Sequence, residues 1–247
     1  MIDLHCHLLP GIDDGASDLD DALALARMAY ANGIQTAMMT PHIIKDRYNN
    51  DITTIRTAFT AFRQALQEND IPLKIGMAAE VRIGIEIMGM IKKNRIPFLG
   101  TLDGYRILLL EMPYNNIPPG SDQMVAWLLQ QKIRPLLAHP ERNGDVLRRL
   151  DKIYPFVYQG CLLQITSGSL TGHFGPLFQQ CAQQLLERGW VDVIASDAHD
   201  KTYRPPDLQA GRVAAAKIMG ERAAWELVHD TPARIINCET KQPLGSL

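Results

Sequence analysis

Short apolar runs alternate with longer amphipathic stretches along almost the whole chain, and this alternation is what most constrains the fold. Seven apolar runs have the length of strands, and each is bounded by Gly, Pro or polar residues. They are Met1–His5, Ile34–Thr40, Leu73–Ala79, Ile107–Glu111, Ile133–His139, Cys161–Ile165 and Val191–Ser196. Because the runs are nearly continuously apolar, they predict parallel strands buried on both faces, as in a closed α/β barrel. A doubly wound open sheet is the alternative.

The stretches between these runs have helical periodicity. The first, Asp18–Asn32, carries an apolar stripe at helical spacing, and Asp18 or Ser17 can cap its start. The other helix candidates are Asp51–Asn69, Gly120–Gln131, Asp145–Tyr158, Gly175–Arg188 and Leu208–Met219. Strand and helix alternate about seven times, which favours a parallel sheet. The Gly-rich dinucleotide fingerprint that would follow the first strand is missing, which weighs against a nucleotide-binding version of the fold.

Length and composition narrow the class of protein. With 247 residues, 46% of them hydrophobic, the chain can build one sizeable core, and we expect a single domain over residues 1–247. The formal net charge of −2 gives no indication of a nucleic-acid or membrane-surface binder. There is no apolar run long enough for membrane insertion, and the start MIDLHCHLLP does not resemble a secretory signal.

The four cysteines, Cys6, Cys161, Cys181 and Cys238, are scattered. Their spacing predicts neither a disulfide framework nor a CxxC zinc site. We therefore expect a cytoplasmic protein with reduced thiols. No cysteine is followed by an arginine six positions later, so the arrangement of a cysteine phosphatase is absent and a thiolate nucleophile is not expected.

Side chains that can bind metal stand at the carboxyl ends of six of the seven predicted strands. They are His5, His7, His42, Glu80, Glu111, His139, Asp197 and His199. In a parallel barrel these ends converge on one face, where barrel active sites form. In a strand, residues two apart point the same way, so His5 and His7 can bind one ion together. Imidazole and carboxylate groups are ligands for zinc, iron and manganese, and their number predicts a cluster of two or three ions.

Residues near these strand ends have two interpretations each. Asp13 and Asp14, in GIDDGA, form either a turn with a helix cap or a further metal ligand, and the second interpretation is favoured for Asp14. Arg142 lies three positions after His139, and Arg204 follows His199 by five. Each arginine is a solvated surface residue by default, but beside a metal cluster a guanidinium is also a natural clamp for phosphate.

Three other residues are assigned ordinary roles. His173 lies in a Gly-rich loop and His229 near a predicted helix end, and neither is expected to bind metal. Cys6 lies between two candidate ligands, but its side chain should face away from them.

The motifs together resemble the PHP superfamily of polymerase and histidinol phosphatase domains. The HxH start, the lone histidine after the second strand, the glutamate after the third and the closing SDAH all match. The longer set MIDLHCHLLPGIDDGA, TPH, AAE, LLEMP, AHPER and IASDAH…RPP is similar to the bacterial manganese-dependent protein-tyrosine phosphatases of capsule and exopolysaccharide operons. The resemblance extends from Met1 to about Asn237. It implies an α/β protein with a distorted (β/α)7 TIM-like barrel (the PHP fold) and a trinuclear metal cluster.

The resemblance also implies the roles of individual residues. The implied metal ligands are His5, His7, Asp14, His42, Glu80, Glu111, His139, Asp197 and His199. Arg142 and Arg204 match arginines that hold phosphate. Either a metal-bound water or His42 could donate a proton to the leaving oxygen. The implied cofactor is Mn²⁺, with Zn²⁺, iron or Mg²⁺ as other occupants. No role is carried over to the loop from Gly168 to Gly175.

The function that the resemblance implies is hydrolysis of phosphotyrosine by a metal-activated water, on a protein substrate such as a bacterial tyrosine kinase that controls capsule or exopolysaccharide synthesis. Tyr48 and Tyr114 could flank the incoming aromatic ring. The alternatives are a small-molecule phosphatase of the histidinol phosphatase type and a nuclease, which the acidic pI of about 6.4 disfavours. A non-catalytic, metal-stabilised binding module is the alternative from another class.

Overall fold

The computed structural model describes residues 1–236, and this part of the chain alternates strands and helices throughout. The strands are β1 Ile2–Cys6, β2 Thr36–Met39, β3 His42–Ile43, β4 Lys74–Met77, β5 Glu80–Arg82, β6 Gly100–Leu102, β7 Tyr105–Glu111, β8 Ile133–Ala138, β9 Leu162–Thr166 and β10 Val193–Ala195. The α-helices are α1 Leu19–Ala31, α2 Ile52–Glu68, α3 Glu86–Lys92, α4 Ser121–Gln130, α5 Gly144–Arg148, α6 Tyr154–Gln159, α7 Ser167–Leu170, α8 Pro176–Glu187, α9 Leu208–Met219, α10 Glu221–Trp225 and α11 Thr231–Ile235. Two 3₁₀ turns, Pro140–Arg142 and Leu150–Lys152, and a π-helical turn, Glu226–Asp230, complete the described part.

The parallel strands follow one another around a barrel. One sheet has the order β1-β2-β4 and the other the order β10-β9-β8-β7-β5-β3. The circuit closes between β1 and the segment after β10, where the Asp197 amide donates to the His5 carbonyl and the His7 amide donates to the Ala198 carbonyl, both at 2.8 Å. The prediction of a closed α/β barrel is therefore confirmed, and the alternative of an open sheet is wrong.

The barrel is distorted because two of its strands are interrupted. β2 and β3 are separated by Thr40 and Pro41, and Pro41 has no amide hydrogen to donate to a neighbouring strand. β4 and β5 are separated in the same way by Ala78 and Ala79. Beyond these breaks, β3 and β5 pair in register, with His42 opposite Glu80. The interruption thus places two candidate ligands side by side.

The helices begin where the sequence predicts in most cases. Asp18 caps α1 by accepting a hydrogen bond from the Asp21 amide, and Asp51 forms a capping box with Thr54 at the start of α2. α4, α8 and α9 also lie within the predicted stretches. No helix among residues 1–236 is both long enough and apolar enough to cross a bilayer.

One predicted helix is wrong as a continuous element. The stretch 145–158 is divided into α5, a 3₁₀ turn and α6, with Arg149 in an extended conformation between the first two. Pro155 lies in the first turn of α6. A proline inside a longer helix would remove an amide donor and collide with the carbonyl four residues earlier, so the helix restarts there instead.

Candidate metal centre

The nine predicted ligands converge at the carboxyl ends of the barrel strands. Their side-chain nitrogen and oxygen atoms form four overlapping groups, and within each group the atoms lie within 4.8 Å of one another. The groups are His7–Asp14–His42–His199, His5–His7–Glu80, His5–His139–Asp197 and His42–Glu80–Glu111. Because four residues are shared between groups, this arrangement is able to bind several ions side by side.

Glu80 lies at the centre of the arrangement and is fully buried. Its Oε2 is 2.8 Å from His42 Nδ1, 3.3 Å from His5 Nε2 and 3.5 Å from His7 Nε2. Its Oε1 is 2.8 Å from His139 Nε2. A carboxylate with an imidazole nitrogen near each oxygen is placed to bridge neighbouring ions.

Several of the candidate ligand atoms lie close together but do not form hydrogen bonds with one another. His42 Nδ1 and Glu80 Oε2 lie only 2.8 Å apart, yet neither has a hydrogen-bond partner of acceptable geometry. His199 Nε2 is also buried and unpaired. An unsatisfied buried polar atom is costly, so unsatisfied donor atoms within candidate ligand groups indicate that the groups bind something else. His42 and Glu80 share one group and His199 belongs to another, so divalent cations bound by these groups would satisfy them.

Three of the candidate histidine ligands are oriented by a hydrogen bond at Nδ1. His5 Nδ1 lies 2.8 Å from Gln164 Oε1, and His199 Nδ1 lies 2.8 Å from the Asp197 carbonyl oxygen. His7 Nδ1 lies 2.7 Å from Asp13 Oδ2. In each case the Nδ1 hydrogen is donated to oxygen and Nε2 is left free to bind an ion, which is the usual arrangement for a metal-binding imidazole.

The roles of Gln164 and Asp13 in orienting histidines are not predicted from the sequence, although Asp13 is interpreted there as a turn residue or a metal ligand. Gln164 belongs to β9, the one predicted strand without a candidate ligand at its end, and it contributes by holding His5. The Asp13 side chain is buried and accepts a hydrogen bond from His7. It also accepts one from the His42 amide, at 3.0 Å. The favoured ligand of the pair, Asp14, lies at the rim with its side chain 34% exposed, and its Oδ1 is 3.3 Å from His42 Nε2.

A glycine brings this loop against the end of β1. A Cβ atom on Gly15 would lie only 1.9 Å from the His7 carbonyl oxygen, so a larger residue there would displace the loop. The Gly15 amide also donates to Asp13 Oδ1 at 3.0 Å. The GIDDGA segment therefore owes its position to a close backbone approach as well as to its carboxylates.

Two candidate ligands have unusual backbone conformations. His139 has φ of 34° and Asp197 has φ of 53°, in the left-handed region that residues other than glycine rarely adopt. The Asp197 turn is held from below by buried Asp3, which accepts hydrogen bonds from the Ser196 amide and hydroxyl. The Ser196 hydroxyl oxygen in turn accepts from the Ala198 amide at 3.1 Å. These bonds fix the turn that aims Asp197 into the centre.

Four arginines line the cavity above the candidate ligands, which measures about 180 Å³. Arg142 donates to Asp197, Arg82 pairs through two hydrogen bonds with Glu111, and Arg204 lies 3.7 Å from Asp14. Arg47 is the fourth. Arg142 and Arg204, predicted as the phosphate clamp, thus face the same space as the candidate ligands.

The two tyrosines predicted to flank a substrate ring occupy different places. Tyr114 lines the cavity, and its side chain is largely exposed. Tyr48 lies outside the cavity lining, with its ring parallel to that of His42 and the ring centroids 5.6 Å apart. A role for either tyrosine in binding substrate stays a prediction.

The charges of the centre are set by burial and by mutual pairing. Burial lowers the pKa of His139 to about 4, and the charge of Arg142 adds to this effect, so the imidazole is neutral and free to ligate. Burial also raises the pKa of the Asp197 carboxyl, but Arg142 and His5 outweigh it and hold that pKa well below the usual range. Burial and the nearby Glu80 carboxylate raise the pKa of Glu111.

The residues given ordinary roles lie apart from the candidate ligand groups of the described chain. His173 Nε2 is 2.7 Å from the Tyr203 carbonyl oxygen, and His229 pairs with Asp230. Cys6 is directed away from its two neighbours and lies 3.4 Å from the Met38 carbonyl. Burial raises the pKa of the Cys161 and Cys181 thiols to about 12, so neither is a ready nucleophile. Cys238 lies outside the described residues.

Comparison with known proteins places the chain in a family. Residues 1–237 match the family described as "Capsular polysaccharide synthesis, CpsB/CapC". The chain belongs to the CpsB/CapC family. Similar curated members include the tyrosine-protein phosphatase YwqE of Bacillus subtilis, 33% identical over 96% of this chain and 92% of the relative. The tyrosine-protein phosphatase CpsB of Streptococcus pneumoniae is 29% identical, and the match covers 96% of this chain and 98% of that relative.

Solved structures agree with this family assignment. A chain from the crystal structures of YwqE from Bacillus subtilis and CpsB from Streptococcus pneumoniae, described as unique metal-dependent tyrosine phosphatases, superposes with a TM-score of 0.89 at 32% identity. The match covers 97% of this chain and 96% of that one. A mutant organophosphorus hydrolase superposes with a TM-score of 0.58 at 16% identity, which shows a shared fold alone.

Asp13 provides a test of how the candidate metal centre is held together. We expect Asp13→Asn to weaken metal binding by about 10- to 100-fold, because His7 loses the charged acceptor that fixes its ring. Isothermal titration of the chelated protein with Mn²⁺ measures this directly. The matched control is Asp20→Asn, which removes an exposed carboxylate from the first turn of α1. Equal affinities in Asp13→Asn and the parent would show that Asp13 does not orient His7.

Proposed function

We propose that this protein is a metal-dependent tyrosine-protein phosphatase that hydrolyses phosphotyrosine on a protein substrate. The observation that carries the proposal is one cavity lined by four arginines and by seven of the nine candidate metal ligands, with His5 and His7 buried beside them, in a chain whose relatives are named tyrosine-protein phosphatases. A bacterial tyrosine kinase that controls capsule or exopolysaccharide synthesis is the proposed substrate, in keeping with the family description. The proposed location is the cytoplasm.

Mn²⁺ is the proposed cofactor, held by His5, His7, Asp14, His42, Glu80, Glu111, His139, Asp197 and His199. This mixture of imidazole and carboxylate donors suits a borderline first-row ion such as manganese, iron or zinc. When bound, such ions polarise phosphoryl oxygens and lower the pKa of the water that attacks phosphorus.

The protein's own groups complete the proposed chemistry. Arg142 and Arg204 line the cavity with guanidinium donors and can hold two phosphoryl oxygens while offsetting their charge. His42 has one nitrogen toward Glu80 and the other toward Asp14, at the edge of the cavity. A neutral imidazole keeps one N–H, so His42 can ligate through one nitrogen and hold a proton for the leaving oxygen at the other. Phenolate is a good leaving group and needs little such assistance.

A substrate comparison on reconstituted enzyme tests the proposal. The protein is stripped with a chelator and reloaded with Mn²⁺, and kcat/KM is measured for a phosphotyrosine peptide, the matching phosphoserine peptide and histidinol phosphate. We expect activity only after reloading, and the phosphotyrosine peptide should exceed the phosphoserine peptide by at least about tenfold, because the phenolate leaves more easily and the ring adds contact area.

Two results would refute the proposal. Histidinol phosphate turned over a hundredfold more efficiently than any phosphotyrosine peptide would favour a small-molecule phosphatase. Full activity of the stripped protein would exclude a metal-dependent reaction. Protein reloaded with Zn²⁺ or Mg²⁺ serves as the control for the identity of the ion.

A further inference from the structure

In the described part of the chain, Arg47 differs from the other arginines of the cavity in having no acidic partner. Arg82, Arg142 and Arg204 each lie within 4.0 Å of a carboxylate oxygen, on Glu111, Asp197 and Asp14 respectively. Among residues 1–236, no carboxylate lies that close to Arg47, although Arg47 lines the same cavity. Its positive charge is therefore not offset by any described carboxylate and is available to a bound group.

The segment that carries Arg47 is a defined hairpin rather than a loose loop. Ile44 and Tyr48 exchange two backbone hydrogen bonds, of 3.0 and 2.8 Å, immediately after β3. The Asn50 side chain anchors the base of the hairpin by donating to the carbonyls of His42 and Ile12, at 3.0 and 2.9 Å. These hydrogen bonds hold the hairpin in a defined position next to the candidate ligand His42.

Tyr48 helps to present the Arg47 side chain. The Arg47 Cζ atom lies 5.0 Å from the centroid of the Tyr48 ring, at the distance of a cation–π contact, and the Tyr48 ring is itself parallel to that of His42. This contact restricts the guanidinium without neutralising it. The arginine therefore has less conformational entropy to lose when it binds a partner.

The second cation of the hairpin, Lys45, also has no carboxylate within 4.0 Å in the described chain. It lines a neighbouring cavity of about 250 Å³, which shares Arg82 with the main one. Asp46 at the tip reduces the net charge of the hairpin to +1 but lines neither cavity. Of the charged side chains of the hairpin, Arg47 lines the main cavity and Lys45 lines the neighbouring one, which Glu86 also lines.

The exposed position of Arg47 determines which part of a substrate it can contact. The side chains of Arg142 and Arg204 are only 16% and 24% exposed and lie beside candidate ligands, where a phosphoryl group would be held. Arg47 is an exposed residue at the mouth of the same cavity. A peptide whose phosphotyrosine enters the cavity must pass its neighbouring residues across this mouth.

We propose that Arg47 determines substrate specificity by pairing with an acidic side chain next to the phosphotyrosine, with Lys45 in support. The favoured substrates are thus phosphotyrosine segments with flanking glutamate or aspartate. This inference rests on the proposed phosphatase function and makes it more specific.

The test compares three phosphotyrosine peptides that differ only in the flanking residues, which are glutamate, glutamine or lysine. Each kcat/KM is divided by the value for p-nitrophenyl phosphate, so that changes in the chemical step cancel. For the parent protein we expect the order glutamate, glutamine, lysine. Arg47→Ala should reduce the preference for glutamate over glutamine by on the order of tenfold, and Arg47→Glu should reverse the order in favour of lysine. Arg63→Glu, a charge reversal on the exposed face of α2, is the matched control and should keep the parental order.

The possible failures are distinguishable. If Arg47→Ala lowers kcat/KM on p-nitrophenyl phosphate and on all peptides by the same factor, Arg47 contacts the phosphoryl group and the inference is overturned. An unchanged flank preference in Arg47→Glu overturns it as well. If the parent protein hydrolyses phosphotyrosine peptides without any flank preference, this inference fails while the proposed function stands. If the parent hydrolyses no phosphotyrosine peptide, the proposed function fails first.

Discussion

Glu80→Gln is expected to lose bound metal and to lower kcat/KM by on the order of 10³-fold. Glu80 is fully buried, and its two oxygens lie near nitrogens of four histidines. Glutamine keeps the size of the side chain but replaces one oxygen by an NH₂ group, which cannot ligate and points a donor at the ions. Because the carboxylate is shared between candidate ligand groups, its loss should affect more than one ion.

Elemental analysis of the purified variant and of the parent measures this effect. The melting temperature of Mn²⁺-loaded Glu80→Gln should fall to about that of the chelated parent, because ions that bind only the folded state stabilise it by mass action. His229→Ala is the control, since His229 pairs with Asp230 away from the candidate centre. If Glu80→Gln retained the full metal content, the bridging role of Glu80 would be wrong.

Arg142→Ala is expected to separate catalysis from metal binding. Arg142 is not a ligand candidate, so the ions should remain, while the loss of a charged donor to phosphate should lower kcat/KM by roughly 10²- to 10³-fold. The same change removes the guanidinium that pairs with Asp197, which is 1% exposed, and leaves His5, 3.1 Å away, as the nearest titratable partner. In metal-free protein this should reduce the free energy of unfolding by about 3–5 kcal/mol. The reduction should be smaller in loaded protein, because bound cations offset the charge of Asp197.

The measurements are kinetics on a phosphotyrosine peptide, elemental analysis, and urea unfolding with and without chelator. Arg188→Ala is a matched control, because Arg188 also pairs with an aspartate, Asp151, but both side chains are largely exposed. Its effect on unfolding should be at most about 1 kcal/mol. Parallel loss of metal and activity in Arg142→Ala would mean that Arg142 maintains the ligand geometry rather than holding phosphate.

Most of the barrel could be predicted because most of its parallel strands are buried on both faces and are therefore nearly continuous apolar runs, whereas β4 is exposed at Lys74 and half-buried beyond it. The exceptions have identifiable physical reasons. β6 is only three residues long and pairs antiparallel with β7 through a tight turn at Asp103 and Gly104, so it has no apolar run of its own. The helix predicted over 145–158 failed because the apolar spacing continues through Pro155, where the backbone cannot.

The candidate centre could be predicted as a set of residues but not as a network. Strand-end position identified the ligand-capable residues, because parallel strands end on one face. The orienting roles of Asp13 and Gln164 depend on which ring nitrogen faces which oxygen, and sequence spacing does not contain that information. Likewise, the pairing of three arginines, which leaves Arg47 without a carboxylate partner among residues 1–236, depends on carboxylates that are distant along the chain.

The closure of the barrel has a consequence for how the protein is made. The segment that supplies Asp197 and His199 pairs with β1, and the Asp3–Ser196 hydrogen bond joins residues 193 positions apart. A nascent chain emerging from the ribosome therefore presents His5 and His7 long before the residues that complete their surroundings exist. Contacts of such large sequence separation form late and slowly. Tight binding of metal at the candidate centre should accordingly be a late event of biosynthesis, after the barrel has closed, and incomplete translation products should lack the metal.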